Sequence, residues 1–251
     1  MHIRTLLTAL ACAMLAITAR AADLVVLTAG AFKPVLEAMQ PAFEQQTGHR
    51  LVLRNDTAGG LQKRITGGEA FDLVVSSPAS LQPLVQAGQL AGEAPLPLAR
   101  VGIGVAVRPG APRPDISTVD AFRAAVLNAR AVAYIDPASG GSSGVYLDRL
   151  FERWGIAPQV HAKAVLVPGG LVAAKLMDGS ADLAIHQASE ILAVPGAVLV
   201  GPIPAEIQNY TVYAGAVSAQ SAHAQAAREL LAALRSAKVQ EILTAKGMEA
   251  P

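Results

Sequence analysis

The chain has 251 residues, 52% hydrophobic and 16% charged, with 20 lysines and arginines, 19 acidic residues and one cysteine, Cys12. That length and apolar content can bury a core as one large domain or two lobes. The even charge balance without a basic run excludes a nucleic-acid-binding surface, and a lone cysteine excludes a disulfide scaffold.

The first 21 residues, MHIRTLLTALACAMLAITARA, join a basic start at Arg4, an apolar run from Leu6 to Ile17 and the small-x-small triplet Ala19-Arg20-Ala21. This is the pattern of a secretory signal over residues 1–21, cut after Ala21 and too short to span a bilayer. Cys12 has too few apolar residues before it to serve as a lipoprotein anchor. Cleavage would remove Cys12, Arg4 and Arg20, leaving 18 basic residues against 19 acidic ones. The expected protein is exported and held together by its core alone. No second apolar stretch long enough to cross a bilayer follows.

After the signal, ADLVVL reads as a strand, TAGAF as a turn and KPVLEAMQPAFEQQTG as a helix with Val35, Leu36, Met39 and Phe43 on one face. Pro41 is expected to kink that helix. HRLVLR is a second strand, NDTAGG a turn, LQKRITGG a short helix and FDLVVSS a buried strand. RVGIGVAVRPGAPRP starts as a strand and ends in a Pro-rich crossing.

The same order then returns. AVAYI is a strand, DPASGGS a turn, and SGVYLDRLFERWG a helix with Leu147, Leu150, Phe151 and Trp154 in a core-facing stripe. VHAKAVLV is a strand, PGG a turn, LVAAKLMDGS a helix and ADLAIHQ a strand. At an offset of 110 residues Gly30 falls on Gly140, Gly59-Gly60-Leu61 on Gly169-Gly170-Leu171, and Asp72-Leu73 on Asp182-Leu183. A second crossing lies near GPIPAEIQNYTVYAGAVSA, and the chain closes with a helical tail. The expected fold is α/β: two similar lobes joined by two crossing strands, with the ligand cleft between them. Lobe 1 would span 22–105 and return over 210–251; lobe 2 would span 106–209. Two crossings let such lobes hinge.

Four glycine turns would meet at the carboxyl ends of the strands, where α/β sheets place ligands. The free N–H groups of a helix start favour an anion, and Thr57, Ser139, Ser142 and Ser143 add hydroxyl donors. Tight turns and ordinary helix caps would also account for each turn taken alone. Residues 140–144 also fit G-x-S-x-G, so Ser142 could be a hydrolase nucleophile with His161, His186 or His223 as base; no HGGG-like oxyanion segment precedes it. No histidine pair has metal-ligand spacing. Arg54 either reaches into the cleft or stays solvated at its strand end, and Glu37, Glu44 and Glu69 read as solvated.

VLTAGAFKPVLEAMQPAFEQQTG, GGLQKRITGGEAFDLVVSSPASLQPLVQAGQL, GSSGVYLDRLFERWGI and DGSADLAIHQASEI together resemble the type II periplasmic solute-binding proteins of ABC transporters, within them the molybdate-binding family. The resemblance covers the whole chain after the signal. It implies two α/β lobes closing on a small oxyanion held by hydroxyls and backbone amides. Carried over by position, the family's first-loop serine falls on Ala31, and its second-loop hydroxyl segment on Thr57-Ala58-Gly59. A third-loop backbone donor falls on Ser143, a fourth near Pro168-Gly169-Gly170, and the cleft tyrosine on His186. Ala31 lacks the hydroxyl, Pro168 has no N–H, and His186 puts a titratable ring where a phenol stood. These departures point to another small anion, such as a carboxylate.

The ligand-binding set expected is therefore Gly30, Ala31, Thr57, Ala58, Gly59, Ser139, Gly140, Ser142, Ser143, Gly169, Gly170 and His186, with His186 gaining a proton against the ligand. The expected protein is a periplasmic, monomeric, non-catalytic binding component of an ABC importer that hands a small anion, a molybdate-like oxyanion or a small carboxylate, to an inner-membrane permease, without cofactor, metal or nucleic acid. Its alternatives are a serine hydrolase built on Ser142 and an exported ligand-sensing module.

Overall fold

A computed structural model describes residues 21–251; the signal expected over 1–21 lies almost wholly outside the described residues. In the first lobe β1 (Asp23–Ala29), α1 (Lys33–Thr47), β2 (Arg50–Asp56), α2 (Ala58–Thr66), β3 (Leu73–Ser76), α3 (Pro78–Gln86) and β4 (Leu90–Val101) follow in order. The second lobe holds β5 (Ile103–Val107), α4 (Val119–Asn128), β6 (Val132–Ile135), α5 (Ser142–Arg153), α6 (Ala157–His161), β7 (Ala164–Val167), α7 (Ala174–Met177), β8 (Leu183–Gln187), α8 (Ala188–Leu192) and β9 (Val198–Pro202). The chain returns to the first lobe as β10 (Thr211–Ser218), α9 (Ala224–Ala233) and α10 (Ala237–Ala245).

The two sheets have one plan. The first runs β2-β1-β3-β10-β4 and the second β7-β6-β8-β5-β9. In each, one strand (β10 or β5) runs antiparallel to the other four and separates three parallel strands from an edge strand (β4 or β9), and the crossings run from β4 to β5 and from β9 to β10. Strands β3, β5, β6 and β8 are buried at every residue; elements cover both faces, which is why they read as unbroken apolar runs rather than alternating ones. The repeated aspartates do similar work: the Asp72 carboxylate accepts from the Val25 N–H at 2.8 Å and that of Asp182 from Arg130 N–H at 3.0 Å, each tying down the start of its lobe's first parallel strand.

Several elements differ from the sequence reading. Helix α1 continues through Pro41, which lies on its exposed face. VHAKAVLV is a strand only from Ala164, because Pro158 in the first turn of α6 starts a helix instead. The tail is two helices, divided where the Ser236 hydroxyl caps α10 by accepting from Val239 N–H. Helix α4, capped by Thr118, was not anticipated. The change of sheet comes at Gly102, so a boundary at 105/106 falls inside β5, whose Ile103, Val105 and Val107 pack in the second core. Gln208 ties the two crossings together, accepting from Ile103 N–H at 2.8 Å and donating to Ile103 C=O at 3.0 Å. No helix among the described residues is long and apolar enough to cross a membrane.

Candidate functional site

The carboxyl ends of the parallel strands of both sheets face one another across a cavity of about 30 Å³. From lobe 1 it is lined by Ala29, Gly30, Ala31, Asn55, Asp56, Thr57, Ala58 and Tyr213; from lobe 2 by Ile135, Gly141, Ser142, Ser143, Gly170, His186, Gln187 and Glu190. Helix α5 begins here at Ser142 without a side-chain cap. Its first-turn N–H groups therefore have no partner inside the helix and point, with the positive end of its dipole, at the cavity. The stripe of Leu147, Leu150 and Phe151 in the second lobe's core fixes that aim. Opposite it, Ala31 sits in a 3-10 turn leading into α1, and Ala58 opens α2. Such a ring of amides suits a small anion.

Four residues of the expected set have a different task. The Thr57 hydroxyl donates to the Ser139 carbonyl at 2.6 Å, and Gly59 N–H donates to Gly140 C=O at 3.1 Å. These bonds run from lobe to lobe and latch them shut. A Cβ built on Gly59 would stand 2.9 Å from the Gly140 Cα, so backbone meets backbone only because neither residue has a side chain. Gly59, Ser139 and Gly140 thus lie outside the cavity lining, their polar groups already engaged, and the Thr57 hydroxyl, which also caps α2 by accepting from Gly60 N–H, has no proton left for a ligand. Gly169 is not in the lining either; its neighbour Gly170 is.

Gly30, Ala31, Ala58, Ser142, Ser143, Gly170 and His186 do come together at the cavity. His186 is 2% exposed, and its Nε2 lies 3.2 Å from the carboxylate of Glu190, itself 6% exposed. Burial pushes the imidazole well below its ordinary pKa and pushes the Glu190 carboxyl up to about 8. Both shifts favour the uncharged forms, so burial favours a carboxylic acid beside a neutral imidazole over a buried ion pair. Without a ligand, burial thus favours the proton on Glu190 rather than on His186. Nδ1 of His186 is buried with no hydrogen-bond partner among the described residues. Beside them the Tyr213 hydroxyl donates to Gln187 Oε1 at 2.6 Å, and Gln187 Nε2 donates to the Thr211 hydroxyl at 3.0 Å.

The hydrolase geometry is missing. Ser142 makes no side-chain hydrogen bond to a histidine among the described residues. His161 is held by Asp148 at 2.6 Å, and His223 lies at the start of α9 beside His49. Arg54 turns away to Glu69 at 3.1 Å, and Arg64 brackets the same carboxylate, holding it down at about 2. Glu44 is not merely solvated either; it accepts from Leu51 N–H at 2.8 Å. Sequence reasoning missed Glu190, Gln187, Asn55, Asp56 and Tyr213. Glu190 had a readable signal, an acid four residues beyond His186 at a strand-to-helix junction. Tyr213 had none, since it arrives on the returning strand β10.

A family described as bacterial extracellular solute-binding protein matches residues 24–249. An aconitate isomerase from Pseudomonas sp is 38% identical over 232 residues, 90% of this chain and 87% of that protein. Among solved structures, the periplasmic molybdate-binding protein of Azotobacter vinelandii superposes with a TM-score of 0.76 at 20% identity, covering 91% of this chain and 99% of that one. The sulfate-binding protein SubI of Mycobacterium tuberculosis H37Rv gives 0.72 at 20% identity, over 91% and 87%. At such identities these structures establish the fold, that of type II periplasmic binding proteins.

Proposed function

The chain belongs to the bacterial extracellular solute-binding proteins, and on that premise we propose that it captures a small polycarboxylate between its lobes and isomerises it by moving a proton, as its aconitate isomerase relative is named for doing. The observation that carries this reading is the neutral His186–Glu190 pair in the cavity wall. A site that only grips an anion has no use for a buried acid beside a buried base. Groups whose protonation is held away from the usual state by burial are the ones that move protons. Aconitate carries a methylene and a vinyl carbon on either side of one central carbon. His186 takes a proton from the methylene, the double bond shifts across the central carbon, and Glu190 gives a proton to the former vinyl carbon. Atoms and charge balance, and the proton returns from His186 to Glu190 across 3.2 Å to reset the pair. The amides of Ala31, Ala58 and the α5 start hold the carboxylates and the negative charge that builds during transfer.

Ala31 supports a carboxylate over a tetrahedral oxyanion, because a methyl group faces the ligand where a hydroxyl would be needed. A desolvated oxygen without its partner costs about 1–3 kcal/mol. The cavity as closed is too small for a six-carbon acid, so the lobes part to admit it.

A second reading keeps the same ligand without chemistry: a binding component that delivers it to an ABC permease, the usual work of the family. Proton NMR of cis-aconitate with the protein in D2O separates the two. Appearance of trans-aconitate carrying deuterium supports isomerisation, and Glu190→Gln should slow it by about 10²-fold or more. Binding without conversion leaves the transport reading; neither binding nor conversion removes the carboxylate.

A further inference from the structure

Glu190 belongs to the second lobe but presses on the first. A Cβ built on Gly30 would overlap its Oε1, so the carboxyl fills the place where Gly30 lacks a side chain. In the closed molecule no lysine or arginine among the described residues reaches it. His186 at 3.2 Å is uncharged, the Tyr213 hydroxyl is turned to Gln187, and Asp56 across the cavity carries the same sign. Lys33, which shares the outer groove with Glu190, is paired with Glu37 at 3.2 Å. A charged carboxyl would therefore be buried uncompensated, which proteins avoid by neutralising the group.

We infer that the lobes close together with one proton: Glu190 must be protonated to dock on Gly30, and on opening that proton leaves it for His186 or for solvent. This rests on the interlobe cavity being the ligand site, though not on the chemistry proposed for it. Closure of a cleft whose described lining holds no lysine or arginine thereby brings a proton in beside the anion-favouring amides.

The sign and window follow from both members of the pair. Exposure of the pair to water on opening returns the carboxyl and imidazole toward their ordinary values of 4.5 and 6.5, from which burial moved them. Between those values open and closed forms hold the same number of protons, one on His186 when open and one on Glu190 when closed, so closure does not depend on pH. Between about 6.5 and about 8 only the closed form holds a proton. Closure there weakens by about tenfold per pH unit as pH rises, and levels off above.

Small-angle scattering of the full mature chain without ligand tests this from pH 6.5 to 8.5, with Gly59→Ala as the open reference. The wild type should be compact at the lower pH and expand toward the reference at the higher. Glu190→Gln, neutral at every pH, should stay compact throughout. A wild-type radius of gyration that is constant across the range, compact or expanded, overturns the inference; so does a Glu190→Gln protein that expands alongside the wild type. Conversion of aconitate is assayed separately, so either idea can fail alone.

Discussion

Gly30 and Ala31 decide how closely the lobes can approach and what they can hold. Gly30→Ala puts a methyl group where the Glu190 carboxyl docks. The fold of lobe 1 should survive, since no positive φ is needed there. Affinity for aconitate, measured by calorimetry, should fall by about tenfold or more, a loss of about 1.4 kcal/mol. Unchanged affinity would mean that Glu190 does not dock there when ligand is bound. Ser142, with no histidine hydrogen-bonded to it, should be inert toward esters. The wild-type protein is expected to leave p-nitrophenyl acetate at its background rate. Hydrolysis that disappears in Ser142→Ala would restore the nucleophile.

Among the elements, α2 and α5 bear most on the site. Thr57 both caps α2 and reaches Ser139 across the lobes. Thr57→Ala removes both bonds and should destabilise by about 1 kcal/mol, lowering the melting temperature by about 2–4 °C, with Thr57→Ser restoring most of it. Helix α5 aims its amides by burying Leu147, which is wholly inaccessible. Leu147→Ala should cost about 2–5 kcal/mol in chemical denaturation. A cost well under 1 kcal/mol would show that the second core tolerates the void and that α5 is held by other contacts. Both elements were legible in the sequence, α5 from its apolar stripe and α2 from its glycine turn. Helix α6 was missed, and α7 is shorter than the helix read over LVAAKLMDGS, because four or five residues give no periodicity to read.

For the whole molecule, ligand class appears as stability. A ligand bound only to the folded state at a hundred times its dissociation constant adds about 2.7 kcal/mol, several degrees in melting temperature. A thermal-shift panel of molybdate, sulfate, phosphate and di- and tricarboxylates should respond to carboxylates; a shift with molybdate alone would defeat the argument from Ala31. The sequence by itself determined the two-lobed α/β plan, because apolar runs, glycine turns and their repetition are local patterns that dictate local structure. It also placed Gly30, Ala31, Ala58, Ser142, Ser143, Gly170 and His186 near one site. Only the tertiary structure decided which of the expected residues face the cavity and which face each other. Gly59 meets Gly140 across 81 positions of sequence, and a hydrogen bond at that separation leaves no mark on local composition. It alone decided the pKa of His186 too, since burial lowers it and burial comes from packing between residues distant in sequence.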